Sequence, residues 1–206
     1  MDSVKPYLTT TGENNYCLPD SGAGSKKNFF IISGCSGSGK SSILQEISDR
    51  GFKVIPETGR QVVKEQIRIK GDALPWKDWM KFVELTISRT MYQYNILKDE
   101  EQIVFFDRSI VDQISWEHLN IKVPDHLINA ANEYRFNDNV FISEPWKEIF
   151  KNDPERKHSF QDAVISYHST IKTYSKFGYK HVFIPQKSVS ERADFIIESS
   201  QRSVEK

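Results

Sequence analysis

Short apolar runs alternate with longer amphipathic stretches along most of the chain. The apolar runs are rich in β-branched and aromatic side chains, as is typical of buried strands. They lie at residues 29–33, 52–56, 103–106, 139–143 and 181–184. Apolar positions at three- and four-residue steps predict helices at residues 40–50, 58–69, 76–97, 124–134 and 160–177, with a further helical region after Asp107. Because strands joined through helices run parallel, we expect a three-layer α/β/α fold around a five-stranded, mostly parallel sheet.

The two ends of the chain differ in character. Residues 1–27 are rich in Ser, Thr, Gly, Asn and Lys and have no sustained apolar period, which predicts a flexible N-terminal tail. One folded domain is expected at residues 28–206. Near its end, Ser188 and Glu191 have the spacing of a capping box, and this spacing predicts a terminal helix.

The helix predicted at residues 76–97 carries one apolar stripe. Its members are Trp76, Met80, Val83, Ile87, Met91, Tyr94 and Leu97. Trp79 and Tyr92, together with two aromatic members of the stripe, have side chains suited to stacking on a nucleobase. Aromatic residues at helical spacing more often belong to the core, so none of them enters the predicted site.

Composition and charge limit the classes of partner. Among 206 residues, 28 Lys and Arg balance 28 Asp and Glu, so no net field favours nucleic acid or an anionic membrane. No apolar run approaches the about 20 residues that span a bilayer, and the start lacks the segments of a signal peptide. Cys17 and Cys35 are poorly placed for a disulfide framework. We therefore expect a cytoplasmic protein that acts on a small molecule, without nucleic-acid or membrane partners.

A glycine-rich segment follows the first predicted strand and precedes the first predicted helix. It fits the phosphate-loop pattern G-x-x-x-x-G-K-[ST]. The predicted nucleotide-binding set is Gly34, Cys35, Ser36, Gly37, Ser38, Gly39, Lys40, Ser41 and Ser42. We expect Lys40 to reach the β- and γ-phosphates of ATP, and the Ser41 hydroxyl to ligate Mg²⁺. The alternative is a Gly/Ser-rich turn that only caps a helix. For Cys35 two interpretations are open: its side chain packs in a tight loop, or it is a redox-active thiol with a low pKa.

Polar side chains directly after the third strand suggest a metal and phosphate site. Ligands of open parallel sheets bind beyond the carboxyl ends of the strands. Asp107 ends an apolar run there, so we predict that it contributes to the Mg²⁺ site, with a helix N-cap as the alternative. Arg108 is expected to neutralise phosphate charge and to contact substrate, or else to pair with an acid on the surface.

A carboxylate follows the second strand. Glu57 is the predicted general base, because a carboxylate at this point would accept a proton from a hydroxyl that attacks the γ-phosphorus. The alternative is a favourable charge near a helix N-terminus. Arg60 lies three residues further along and would hold the acceptor together with Glu57 and Arg108.

A charged segment before the helix at residues 160–177 is the candidate for a lid. Its sequence at residues 153–158 is Asp-Pro-Glu-Arg-Lys-His. Arg156 would stabilise negative charge on the γ-phosphate when the lid closes. A solvated charge cluster at the start of a helix is the alternative.

These motifs together resemble the P-loop kinases, especially small-molecule kinases of the nucleoside and ribosylnicotinamide type, and a related family of AAA-domain predicted ATPases. The resemblance extends over residues 29–197. It depends on the phosphate loop, on the segment at residues 56–63, on the lid-like segment and on Asp107-Arg108-Ser109. The last of these is similar to the acid-Arg-Ser motif of deoxynucleoside kinases, which implies that Asp107 and Arg108 serve the metal and the phosphates. Glu57 is similar to the base that follows the second strand in those kinases, which implies the same role here.

Two absent motifs and one substitution favour transfer over hydrolysis. The sequence has no Asn-Lys-x-Asp guanine reader and no Leu-Ser-Gly-Gly-Gln segment, which disfavours a Ras-like GTPase and a transporter ATPase. Arg108 stands where many hydrolytic ATPases have a water-activating Glu. We therefore predict a Mg²⁺- and ATP-dependent phosphotransferase for a small hydroxyl-bearing, nucleoside-like acceptor. The alternatives are an ATP-hydrolysing nucleotide switch that acts through a protein partner, and a module that binds nucleotide without turnover.

Overall fold

The computed structural model describes residues 25–116, 119, 121–150 and 159–205. Its centre is a five-stranded sheet in which all neighbouring strands are parallel. The strands are β1 (Phe29–Gly34), β2 (Lys53–Ile55), β3 (Val104–Asp107), β4 (Asn139–Ser143) and β5 (Lys180–Phe183). Their order across the sheet is β2-β3-β1-β4-β5, so the chain crosses β1 between β3 and β4. This crossing creates a crevice at the carboxyl end of β1, which is where such sheets bind ligands.

Seven helices cover the two faces of this sheet in the described part of the chain. They are α1 (Lys40–Asp49), α2 (Thr58–Arg68), α3 (Trp79–Ile96), α4 (Ile110–Gln113), α5 (Asp125–Glu133), α6 (Phe160–Lys176) and α7 (Val189–Val204). Helices α1 and α7 pack on one face, and α2 to α6 contribute to the core on the other. The predicted three-layer α/β/α architecture is confirmed, and the sheet is entirely parallel.

The central strand explains why the sheet needs both layers. Every residue of β1 is buried. Side chains alternate across a strand, so Phe29 and Ile31 enter the core beneath α2 to α6, whereas Phe30 and Ile32 enter the core beneath α1 and α7. Burial of each such side chain stabilises the fold by about 1.5–3 kcal/mol.

The predicted elements are confirmed, with boundaries that differ by up to three residues. The largest difference is at α3, which begins at Trp79, because the Asp78 carboxylate accepts a hydrogen bond from the Lys81 amide at 3.1 Å and caps the helix there. Trp76 therefore lies outside the helix with 59% of its surface exposed, and its assignment to the apolar stripe is wrong. The capping box at Ser188 is confirmed.

The segment before β1 is already attached to the domain. Lys26 donates its amide to the Arg135 carbonyl at 3.0 Å, and the Lys27 carbonyl accepts a hydrogen bond from the Asn137 side chain at 2.5 Å. Residues 1–24, which make up most of the predicted tail, lie outside the described residues. None of the described helices combines the length and the apolar character needed to cross a membrane.

Replacement of Gly34 by alanine tests the tightest approach in the sheet. A Cβ at Gly34 would lie 2.2 Å from the Ser143 carbonyl oxygen, and Gly34 has a φ of 115°. The matched control is Gly51→Ala, at φ 89° with no atom within 4 Å of the added Cβ. Backbone strain alone should lower the free energy of unfolding of the control by about 1–2 kcal/mol, and overpacking should add about 1–3 kcal/mol for Gly34→Ala. Urea denaturation measures both, and equal losses would contradict the close approach.

Candidate active site

The loop between β1 and α1 has the backbone shape of an anion cup. Three of its glycines have positive φ, namely Gly34 at 115°, Gly37 at 75° and Gly39 at 81°. The Cys35 amide donates to the Ser143 carbonyl at 2.8 Å, which fixes the start of the loop to the end of β4. Left-handed glycines turn successive amides toward one side, and the N-terminus of α1 adds partial positive charge there.

Lys40 lies buried over this loop, with 7% of its surface exposed. Its Nζ donates to the Cys35 carbonyl at 2.5 Å and to the Gly34 carbonyl at 3.3 Å. The Ser38 hydroxyl donates to the same Cys35 carbonyl at 2.6 Å. The first turn of α1 contains no acidic residue, so no side chain there offsets the partial positive charge of the helix N-terminus. This charge and the ammonium group of Lys40 therefore add to one positive potential at the loop.

Ser41 and Asp107 line one cavity of about 480 Å³ between α1, the end of β2 and α2. Ser41 and Ser42 are exposed in the first turn of α1, and Asp107 is the half-buried last residue of β3. Hydroxyl and carboxylate oxygens are ligands that Mg²⁺ prefers. The N-cap role left open for Asp107 is wrong, because Ser109 caps α4.

Arg108 is buried beside Glu57 and Asp112. Its Nε lies 3.3 Å from Glu57 Oε1, and its Nη1 lies 3.2 Å from Asp112 Oδ1. Burial alone would lower the pKa of Arg108, but the carboxylates of Glu57, Asp112 and Asp107 raise it above its usual value. The alternative of a surface ion pair for Arg108 is therefore wrong, since its side chain is only 15% exposed.

Glu57 immediately precedes α2 but does not cap it through its side chain. Its carboxylate faces two guanidinium groups instead, Arg108 at 3.3 Å and Arg60 Nε at 3.9 Å. Only 12% of the Glu57 side chain is exposed, against 32% for Arg60. The contacts of Glu57 therefore direct its charge toward the two arginines.

A second cavity, of about 390 Å³, brings the predicted acceptor residues to the phosphate loop. Its lining includes Ser36 of the loop together with Glu57, Arg60, Arg108, Trp79 and Phe82. The rings of Trp79 and Phe82 lie 5.9 Å apart. Glu57 and Arg60 also line the cavity that contains Ser41 and Asp107, so these two side chains separate the two spaces.

Sequence reasoning missed Asp112, which organises one wall of this cavity. Its carboxylate accepts hydrogen bonds from the Ser33 hydroxyl, from the Ser109 amide at 2.8 Å and from the Tyr174 hydroxyl at 2.5 Å, in addition to its ion pair with Arg108. Ser109 and Asp112 form a capping box, and their three-residue spacing was the signal that would have found it. Asp112 thus fixes Arg108, whose φ of 72° is rare outside glycine.

Trp79 was considered as a stacking residue but left out of the predicted site, and the structure places it in a pocket. It lines the cavity of about 390 Å³, whereas Tyr94 belongs to the core and Tyr92 is 52% exposed. Trp79 is the first residue of α3 and directly follows the capping Asp78. Sequence reasoning excluded all of these aromatics on one general rule, which could not separate a pocket residue from a core residue.

The lid residue Arg156 lies outside the described residues, as do the rest of 151–158. The residues that flank this segment are close together, since the rings of Phe150 and Phe160 are 5.2 Å apart. Helix α6 then begins with the capping box of Ser159 and Asp162, and Asp162 lines the cavity of about 390 Å³.

One family model and several solved structures match most of this chain. The model of the AAA domain family matches residues 29–192, which cover the sheet, the loop and most of the helices. The chain belongs to this AAA domain family. No curated protein matches the chain.

Solved structures of nucleoside and nucleotide kinases share the fold of this AAA domain protein. The deoxyadenosine kinase of M. mycoides, solved with bound dATP, is 17% identical with a TM-score of 0.52, over 84% of this chain and 99% of that one. The thymidylate kinase of Candida albicans is 11% identical with a TM-score of 0.59, over 86% and 93% of the chains. The thymidylate kinase of Ehrlichia chaffeensis is 18% identical with a TM-score of 0.53, over 85% of this chain and 98% of that one. The predicted P-loop kinase fold is confirmed.

The state of the Cys35 thiol provides a test of the loop. Cys35 is 1% exposed, and burial raises its pKa by more than Lys40 and Arg108 lower it, so a thiol of low pKa is wrong. We expect Cys35 in a Cys17→Ser protein to react with a thiol reagent at pH 8 only at the rate of unfolding, and rapidly in urea. A stoichiometric, fast reaction of the folded protein would contradict the buried, protonated thiol.

Proposed function

We propose that this protein is a Mg²⁺- and ATP-dependent phosphotransferase whose acceptor is a small, nucleoside-like molecule with a hydroxyl group. One observation supports this most strongly: a cavity of about 390 Å³ opens at Ser36 of the phosphate loop and holds Glu57, Arg60 and Arg108 in its wall. Ligand pockets usually measure about 300–1,000 Å³, so a nucleoside fits this volume. A phosphoryl donor on the loop and an acceptor in the cavity would be neighbours.

The donor side uses the loop, Lys40 and the two oxygen-bearing side chains. In the proposed complex, Lys40 exchanges its carbonyl partners for the β- and γ-phosphates, and the loop amides bind the same oxygens. Ser41 and Asp107 would hold Mg²⁺, which neutralises charge on the phosphates. The proposal includes the role predicted for Arg156, which would stabilise negative charge on the γ-phosphate as part of a lid.

The acceptor side uses charge at one end of the cavity and aromatic rings at the other. Glu57 would accept the proton of the attacking hydroxyl, while Arg60 and Arg108 balance the negative charge that develops. Trp79 and Phe82 present apolar walls on which a planar base would stack. The names of the similar structures, a deoxyadenosine kinase and two thymidylate kinases, support an acceptor that is a nucleoside or a nucleoside monophosphate.

Product analysis with a panel of acceptors tests the proposed function. We expect ADP release from Mg·ATP to increase well above the acceptor-free rate with at least one nucleoside, riboside or nucleoside monophosphate, and mass spectrometry to detect the phosphorylated acceptor. Equal ADP release with every compound, with inorganic phosphate as the only other product, would contradict transfer. That result would favour the alternative of an ATP-hydrolysing switch with a protein partner.

Two substitutions separate donor binding from transfer. Lys40→Ala should abolish the thermal stabilisation by Mg·ATP, because the phosphates lose their ammonium partner. Glu57→Gln should keep that stabilisation and lower kcat by about 10²–10⁴-fold, the usual contribution of a general base. Glu65→Gln, on the exposed face of α2, is the matched control and should change neither quantity. Full turnover by Glu57→Gln would remove Glu57 from the mechanism.

A further inference from the structure

Arg192 is a buried arginine on α7 that contacts the phosphate loop from a distant part of the sequence. Its Nη1 donates to the Ser38 carbonyl at 3.3 Å, and 5% of the residue is exposed. A Cβ added to Gly39 would lie 3.1 Å from the same Nη1, so the guanidinium packs directly against the loop. Its Cζ lies 5.3 Å from the centre of the Trp146 ring, which follows β4.

The charge of Arg192 has no carboxylate partner in the described part of the chain. Its Nε is buried and lacks a hydrogen-bond partner among the same residues. Arg108 differs, because Glu57 and Asp112 lie within 3.3 Å of its guanidinium. An unbalanced buried charge is costly, and burial accordingly lowers the pKa of Arg192.

Two positive features meet at this point of the molecule. One is the N-terminus of α1, whose first turn holds no acid, and the other is the guanidinium of Arg192 beside the residue that caps that helix, Gly39. Like charges gathered in a low-dielectric region repel one another, and an anion in the loop would relieve that repulsion. A polyphosphate carries the multiple negative charges that such a site would balance.

We propose that Arg192 is a positioning residue for the polyphosphate of the bound nucleotide. Its buried charge is balanced by the phosphates in the loop, and its bond to the Ser38 carbonyl holds the loop in the shape that receives them. This inference rests on the proposed function, since it requires the loop to bind a nucleoside triphosphate. Arg192 acts through the loop and through its charge, without a place in the acceptor cavity.

An arginine with a purely structural role would behave differently on substitution. The packing of Arg192 on Trp146 and its single carbonyl bond would then stabilise the free protein, and their loss would lower its Tm. Under the proposal, removal of an unbalanced charge leaves the free protein as stable or makes it more stable. The Ser38 carbonyl keeps a partner in either case, because the Ser143 hydroxyl donates to it at 3.2 Å.

The experiment compares Arg192→Met, Arg192→Lys and a control, Arg135→Met. Arg135 resembles Arg192 in two contacts: its Cζ lies 4.1 Å from the centre of the Tyr179 ring, and its Nη1 donates to the Phe177 carbonyl at 2.9 Å. It differs in position, because it precedes β4 at the opposite end of the sheet from the loop. Tm without ligand is measured for each protein. Isothermal titration then gives Kd for Mg·ATP, ADP, adenosine and inorganic tripolyphosphate.

We expect Arg192→Met to keep or raise the ligand-free Tm and to weaken the binding of ATP and of tripolyphosphate by about tenfold. The effect should be smaller for ADP and absent for adenosine. Arg192→Lys, which retains the charge, should recover most of the affinity. Arg135→Met should lower the ligand-free Tm and leave every Kd unchanged.

Several outcomes would overturn the proposal. Arg192→Met with an unchanged Kd and a lowered Tm, or an Arg192→Met protein that does not fold, would make Arg192 a structural residue. A loss that affects ATP and adenosine but not tripolyphosphate would show that Arg192 reads the base. If the wild-type protein binds no phosphate compound, both this inference and the proposed function are overturned. If phosphate binding depends on Arg192 but the product analysis finds no phosphorylated acceptor, only the proposed function is overturned.

Discussion

The close approach of β1 and β4 at Gly34 is the constraint on which the site depends. The ends of these strands pair in parallel register, so that Gly34 lies opposite Ser143 and leaves no room for a Cβ. The pairing of β1 with β4 ends at this residue, and the chain turns directly after it. Left-handed glycines make that turn and leave the loop amides at the N-terminus of α1. The close approach at Gly34 thus sets the point at which the buried strand gives way to the glycine-rich loop.

Two polar networks start at the adjacent carboxyl ends of β1 and β4. On one side, the Ser33 hydroxyl donates to Asp112, whose carboxylate also holds Arg108 and, through it, Glu57. On the other side, Ser143 donates to the Ser38 carbonyl, which also accepts from Arg192. The first network forms the wall of the cavity of about 390 Å³, and the second supports the loop. Both networks therefore start from the carboxyl ends of two adjacent strands, β1 and β4.

Local sequence was sufficient for the elements and for the loop, because their signals are periodicity and a contiguous motif. The strand at 139–143 and the capping box at Ser188 were predicted as they occur. The local capping-box spacing of Asp112 with Ser109 indicates a helix start, but its contact with Tyr174 is 62 residues away, and that of Arg192 with Ser38 is 154 residues away. No window of local sequence contains such a pairing. Arg192 did carry one weak signal, since it lies one turn before the buried Ile196 on the core face of α7.

The two buried arginines differ in how their charges are balanced. Arg108 is paired with protein carboxylates, so its position is fixed before any ligand arrives. Arg192 lacks such a partner among the described residues, so its field remains directed at the loop. A polyanion therefore gains more from the loop side than from the cavity side. This asymmetry favours triphosphate in the loop and a less charged molecule beside Glu57, which is the arrangement that phosphoryl transfer to a hydroxyl requires.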